Sequence, residues 1–155
     1  MAFGPANPWY DDSKAPIIVM TMPARYSDAE IEEASEAFTR WALNDVDQPY
    51  ALLIDGRQTS WLAPRHLALW AKVEAKTRPV EKHFNVGQAF VINSSVVWKL
   101  VSAVQWISPP TYPARFFASL EPAEEWLRTF FDQERTATED DGFAVFDESR
   151  PSRVF

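Results

Sequence analysis

The chain has 155 residues, 46% of them hydrophobic, with seven Trp, eleven Phe, a net charge of −7 and no cysteine. That length and apolar content fit one ordinary domain with a real core. The acidic balance disfavours binding to nucleic acid or anionic lipid, whose phosphates need a basic patch, and the missing thiols exclude disulfides and thiolate metal sites.

The N-terminal stretch MAFGPANPWYDDSK, residues 1–14, is rich in turn formers and reads as an arm whose Trp9 and Tyr10 can dock on the domain. It has no basic start and no long apolar core, so no secretion signal is expected. No window approaches the roughly 18 apolar residues of a membrane span. With no thiols to oxidise, the expected location is the cytoplasm, without membrane insertion. PIIVMTMP, residues 16–23, is an apolar run with prolines at its ends, where a strand tolerates them. Ser27-Asp28-Ala29-Glu30 spells a capping box. The helix it opens carries Ile31, Ala34, Phe38 and Trp41 on one stripe and stops near Asn44.

Tyr50 to Asp55 is the next strand, without alternation at its centre, as expected of burial on both faces. Pro64 opens a second helix, which is expected to end before Pro79. VGQAFVIN, residues 86–93, is a third strand, and Asn93 or Ser94 caps the helix that follows. YPARFFA, residues 112–118, is a fourth strand, placed at an edge or begun by Pro113. A last helix, capped by Ser119, aligns Ala123, Trp126, Leu127, Phe130 and Phe131. The alternation predicts an α/β fold: a four- to five-stranded, mostly parallel (mixed) sheet with about four helices. The divisions expected are an arm at 1–14, a domain at 15–134 and an acidic tail at 135–155, in which Phe143, Val145 and Phe146 follow the Glu139-Asp140-Asp141 run.

Three stretches, YALLIDGRQTSWLAPRHLALWA, VGQAFVINSSVVWKLVSAVQWI and ARFFASLEPAEEWL, follow one another in the order and spacing of a STAS-like domain. The chain resembles small proteins of the superfamily that joins bacterial anti-sigma-factor antagonists (SpoIIAA-like) to CRAL-TRIO lipid-binding domains. The resemblance spans roughly residues 16–131 and implies a noncatalytic regulatory or scaffolding module that binds a protein, including another copy of itself. Its CRAL-TRIO side allows a small-molecule or lipid carrier instead. A carrier needs a sizeable apolar cavity, and so many large aromatics predict a filled core. STAS switch proteins carry a phosphorylatable serine at the start of the second helix. Aligned through Asp55, that element falls at Ala63-Pro64-Arg65-His66, where no hydroxyl stands.

The junction from Asp55 to Arg65 is therefore a candidate switch loop, with Asp55, Arg57, Thr59, Ser60 and Arg65 as its residues. Thr59 and Ser60 read either as hydroxyls for turn amides or as displaced phosphorylation sites. A carboxylate at a strand's C-terminal end is a common site position. A triad of Asp55, His66 and Ser60 nevertheless has no G-x-S-x-G around it, and Asp55 is expected to accept turn amides or pair with Arg57. His66 and His83 lack metal-ligand spacing. No G-x-G-x-x-G or Walker loop is present, so no cofactor is expected. Arg57, Arg65 and Arg78 are a candidate basic spot. In the third helix Val97, Leu100, Val101, Val104 and Ile107 form a stripe, with Trp106 opposite and Trp98 to one side. Trp98 and Trp106, joined by Leu69 and Val73 from the second helix, are the candidate partner-binding surface.

Overall fold

A computed structural model describes residues 3–139, with side chains described to residue 132. The elements run β1 (Tyr10–Asp11), β2 (Ile17–Thr21), α1 (Asp28–Asn44), β3 (Tyr50–Asp55), α2 (Pro64–Phe84), β4 (Asn85–Val91), α3 (Ser95–Ile107), β5 (Ala114–Phe117) and α4 (Leu120–Glu139). The five strands form one sheet in the order β1-β2-β3-β4-β5. β1 pairs antiparallel with β2, and every other neighbour is parallel. The α/β class, the mixed but mostly parallel sheet and the four helices are those the sequence predicts.

Strand alternation divides the core between the two sheet faces. Ile17, Ala51, Leu53, Ala89 and Val91 point to one face, where α4 covers them with Ala123, Leu127 and Phe130. Gly87 on this face lets α4 come close: a Cβ there would lie 2.9 Å from the Phe130 ring. Ile18, Met20, Leu52 and Ile54 point to the other face, which α1, α2 and α3 share. One helix thus serves one face and three serve the other. Tyr50 through Leu53 are buried without a polar break, as the uninterrupted apolar run requires.

The capping box at the start of α1 is complete. Ser27 Oγ accepts from the Glu30 amide at 3.1 Å, and Glu30 Oε1 accepts from the Ser27 amide at 2.8 Å. The Ile31, Ala34, Phe38, Trp41 stripe is buried as its spacing demands; each large side chain contributes about 1.5–3 kcal/mol. Ser94 caps α3, accepting from the Val97 amide at 3.3 Å.

Three boundaries differ from expectation. First, residues 3–12 are packed onto the domain rather than trailing from it. Trp9 is 8% exposed, its ring set edge-on against Tyr26, while the Tyr10 hydroxyl donates to the Ala34 carbonyl and Trp41 Nε1 donates to the Phe3 carbonyl. Asp12 accepts the Gly4 and Phe3 amides, which hold its carboxyl below its ordinary value. Second, α2 does not stop before Pro79 but runs on to Phe84. Pro79 is exposed, and Val80 and Phe84 pack into the core beyond it. Third, the backbone of α4 continues to Glu139, into the stretch read as the start of the tail. Phe143, Val145 and Phe146 lie outside the described residues. Among the described residues no helix is long and apolar enough to cross a membrane.

Candidate functional site

The candidate switch loop is tied down residue by residue. Arg57 grips Asp55 with two side-chain bonds, Nε to Oδ1 at 2.9 Å and an Nη to Oδ2 at 3.0 Å, and its amide donates to the same carboxylate at 3.2 Å. Burial pushes the Asp55 carboxyl up, but the bonds from Arg57 outweigh it and hold the group below its ordinary value. His66 is not directed at Asp55: its Nε2 lies 2.8 Å from Asp28 Oδ1, and its ring tilts against Tyr26. Arg65 pairs with the same Asp28 at 3.0 Å, and Arg65 and His66 together lower the Asp28 carboxyl. Ser60 is exposed, while Thr59 is only 3% exposed and its hydroxyl has no partner. Thr59 thus neither satisfies a turn amide with its hydroxyl nor presents that hydroxyl at the surface.

The three arginines do not form a basic spot. Arg57 is committed to Asp55, Arg65 to Asp28, and Arg78 to Ser108 Oγ at 2.9 Å and the Pro109 carbonyl at 3.1 Å. Each neutralises or caps a different segment. Among the described residues no group of His, Asp or Glu is placed to hold a metal ion.

The candidate partner surface is also redistributed. Val73 is 7% exposed and packs with Ile18, Leu52 and Trp41, so it is unavailable to a partner. Leu69 is half-buried against the core beneath α3. Trp98 leans edge-on against Phe116 of β5, with ring centroids 5.8 Å apart. Trp106, at 86%, faces outward, and Ile107, assigned to the inner stripe by spacing, is 80% exposed. The inner stripe therefore ends at Val104, three residues before α3 stops at Ile107. Val96, Lys99, Ala103 and Trp106 are all exposed at spacings of three and four, one outward face on which only Lys99 is charged.

Beneath α3 lies a feature the sequence did not disclose. A partly open cavity of about 170 Å³ sits between the sheet and the three-helix layer. Met20, Leu52, Ile54 and Phe90 line its sheet side, and Val97, Val101 and Val104 its α3 side. It exists because α3 is loosely seated: Val97 is its one buried residue, although only Ser95, Lys99, Ser102 and Gln105 in it are polar. The expectation that aromatics fill the core is corrected here. Trp41, Phe38 and Tyr50 pack together under α1, while Trp70, Phe90 and Tyr112 line the cavity without closing it.

One wall of the cavity is acidic. Glu74 and Glu81 of α2 line it together with Gln88, Gln105 and Tyr112. Glu81 is 4% exposed; burial pushes its carboxyl up to about 7, and the charge of Glu74 adds to the rise. Thr77 Oγ1 lies 3.0 Å from both the Val73 carbonyl and Glu81 Oε1. A hydroxyl has a single hydrogen, so Thr77 divides its donation between the two, and its bond to Glu81 opposes the rise without cancelling it. Asn85 Nδ2 reaches Glu81 Oε2 at 3.4 Å, and Tyr112 donates to Glu74 Oε2 at 3.3 Å. Burial raises the Glu74 carboxyl too, with Arg78, Tyr112 and Ser108 opposing it. Val73, Thr77 and Glu81 fall at i, i+4 and i+8, a pattern visible in the sequence once the helix is carried through Pro79. Ending it there hid the acid.

No family model matches the chain, and no match is found among curated proteins or among solved structures. Functional conclusions therefore rest on the residues themselves.

Proposed function

We propose that the chain is a noncatalytic regulatory or scaffolding module of STAS-like type that works by protein–protein contact, with the outer face of α3 as its contact surface and a second copy of itself as the partner. The observation that carries this reading is the adjacent exposure of Trp106 and Ile107 on a helix whose outward face is nearly uncharged. Exposed Trp is favoured as an interface anchor because it combines large buried area with few rotatable bonds. Two chains of charge −7 repel at most surfaces. The α3 face lets them meet without opposing like carboxylates. The switch-loop residues support contact rather than chemistry, since Asp55 is held by Arg57 and His66 by Asp28.

Size-exclusion chromatography with light scattering tests it. The parent is expected to run as a dimer at micromolar concentration and Trp106→Glu as a monomer with unchanged circular dichroism. A monomeric parent, or a dimer indifferent to Trp106→Glu, refutes the assignment. A second reading, a small-molecule carrier, is favoured by the cavity beneath the same helix.

A further inference from the structure

The cavity has a chemical bias. Its walls are apolar along β2, β3, β4 and α3, yet two carboxyl side chains, Glu74 and Glu81, border it from α2. Gln105 Oε1, in the same lining, is buried with no hydrogen-bond partner, and so is Thr59 Oγ1, where the chain leaves β3. Arg78 is the basic group near both acids, and its guanidinium is spent on Ser108 and the Pro109 carbonyl. Glu81 further faces Thr77, Asn85, Tyr112 and Tyr50, none of them cationic. Among the described residues the slot has no cation in its lining, and Arg78 acts on both acids from outside it.

Size limits the occupant. A cavity of about 150 Å³ accommodates benzene, so 170 Å³ takes about seven non-hydrogen atoms. The lining runs along α2 from Leu67 to Glu81, about 21 Å of helix at 1.5 Å per residue, which suits a narrow chain. We propose that this cavity binds a small primary amine with a short alkyl tail, its ammonium at the acidic wall that Glu74 and Glu81 form and its tail along the sheet. An ammonium has three N–H donors and no acceptor, which suits a wall that carries two carboxyl groups. A carboxylate ligand would face two acids, and a neutral alcohol would leave an ionised acid unpaired. This inference rests on the carrier reading and names the ligand class for it.

Isothermal titration of the full chain with n-hexylamine, 1-hexanol and hexanoate, at pH 8 and at pH 5.5, tests it. At pH 8 hexylamine is expected to bind at least about tenfold more tightly than hexanol, the worth of one charge-assisted hydrogen bond, with hexanoate weakest. The preference should shrink at pH 5.5, below the value of about 7 to which burial pushes Glu81, and vanish in Glu81→Gln or in Glu74→Gln, the second serving if the first folds poorly. Val104→Phe, which fills the slot, should abolish both ligands. Equal affinity for hexylamine and hexanol overturns the amine assignment and leaves a carrier of neutral molecules standing. A preference that survives both glutamine variants overturns the role of the acids. No binding of any probe overturns the carrier reading with it.

Discussion

Glu81 places an ionisable group where water cannot solvate its charge, and the consequence for stability has a definite sign. Its carboxyl in the folded chain is raised to about 7, above the ordinary unfolded value of about 4.3. The folded state therefore holds the proton more tightly. The stability this confers is fully present below the unfolded value and is lost as pH rises through about 7. Glu81→Gln cannot ionise and escapes that loss. In urea unfolding, the variant should gain on the parent by on the order of 3 kcal/mol between about pH 5 and pH 8. A difference constant across that range would mean that Glu81 does not titrate as a buried group. Thr59 shows the same principle without charge: its buried hydroxyl has no partner. Thr77 stands four residues before Glu81 in the sequence, but the depth at which either group is buried is not written in its neighbours along the chain. Asp55 and Arg57 are two apart and could be paired by inspection, whereas Glu81 acquires its surroundings from β4 and from the segment at Tyr112.

At the scale of elements, the sequence was informative wherever a local rule decides the outcome. Ser27 and Glu30 define the start of α1, and the Tyr50–Asp55 run defines β3, because capping and burial are settled within a few residues. It misled where tertiary packing overrides a local cost. An interior proline costs a helix about 3 kcal/mol, which argues for stopping α2 before Pro79. The helix continues because Val80 and Phe84 reach the core only from helical positions. The cost therefore persists in the native state. Pro79→Ala should stabilise the protein by roughly 2–2.6 kcal/mol, the interior penalty less the 0.4–1 kcal/mol by which proline restricts the unfolded chain. A higher thermal midpoint is the expected reading, and a lower one would indicate that Pro79 itself favours the course α2 takes along the sheet. The stripe of α3 failed for the opposite reason. Periodicity says which side of a helix is apolar, but not how far the surface beneath it extends, and Ile107 is left 80% exposed.

For the molecule as a whole, the N-terminal residues count as part of the fold. Trp9 fills a place between Met20, Met22 and Ile31, and β1 adds a fifth strand to the sheet. Deleting residues 1–12 should cost at least about 3 kcal/mol, the scale of losing one buried Trp, seen as an earlier urea midpoint. An unchanged midpoint would restore the view of a tether. The docking was anticipated only as a capacity of Trp9 and Tyr10, because the prolines around them carry no periodic signal.

The strand order β1-β2-β3-β4-β5 has a further consequence for where anything can bind. Open α/β sheets usually hold their ligands in a crevice created where the winding reverses and neighbouring connections leave to opposite faces. Here each parallel strand is followed by the one beside it, and α1, α2 and α3 all return over the same face. There is no reversal and hence no crevice of that kind at the tip of β3, however suggestive a carboxylate at Asp55 looks on paper. A chain wound in one direction keeps its spare volume inside, between layers, and access to it is governed by how firmly the last helix of the layer is seated.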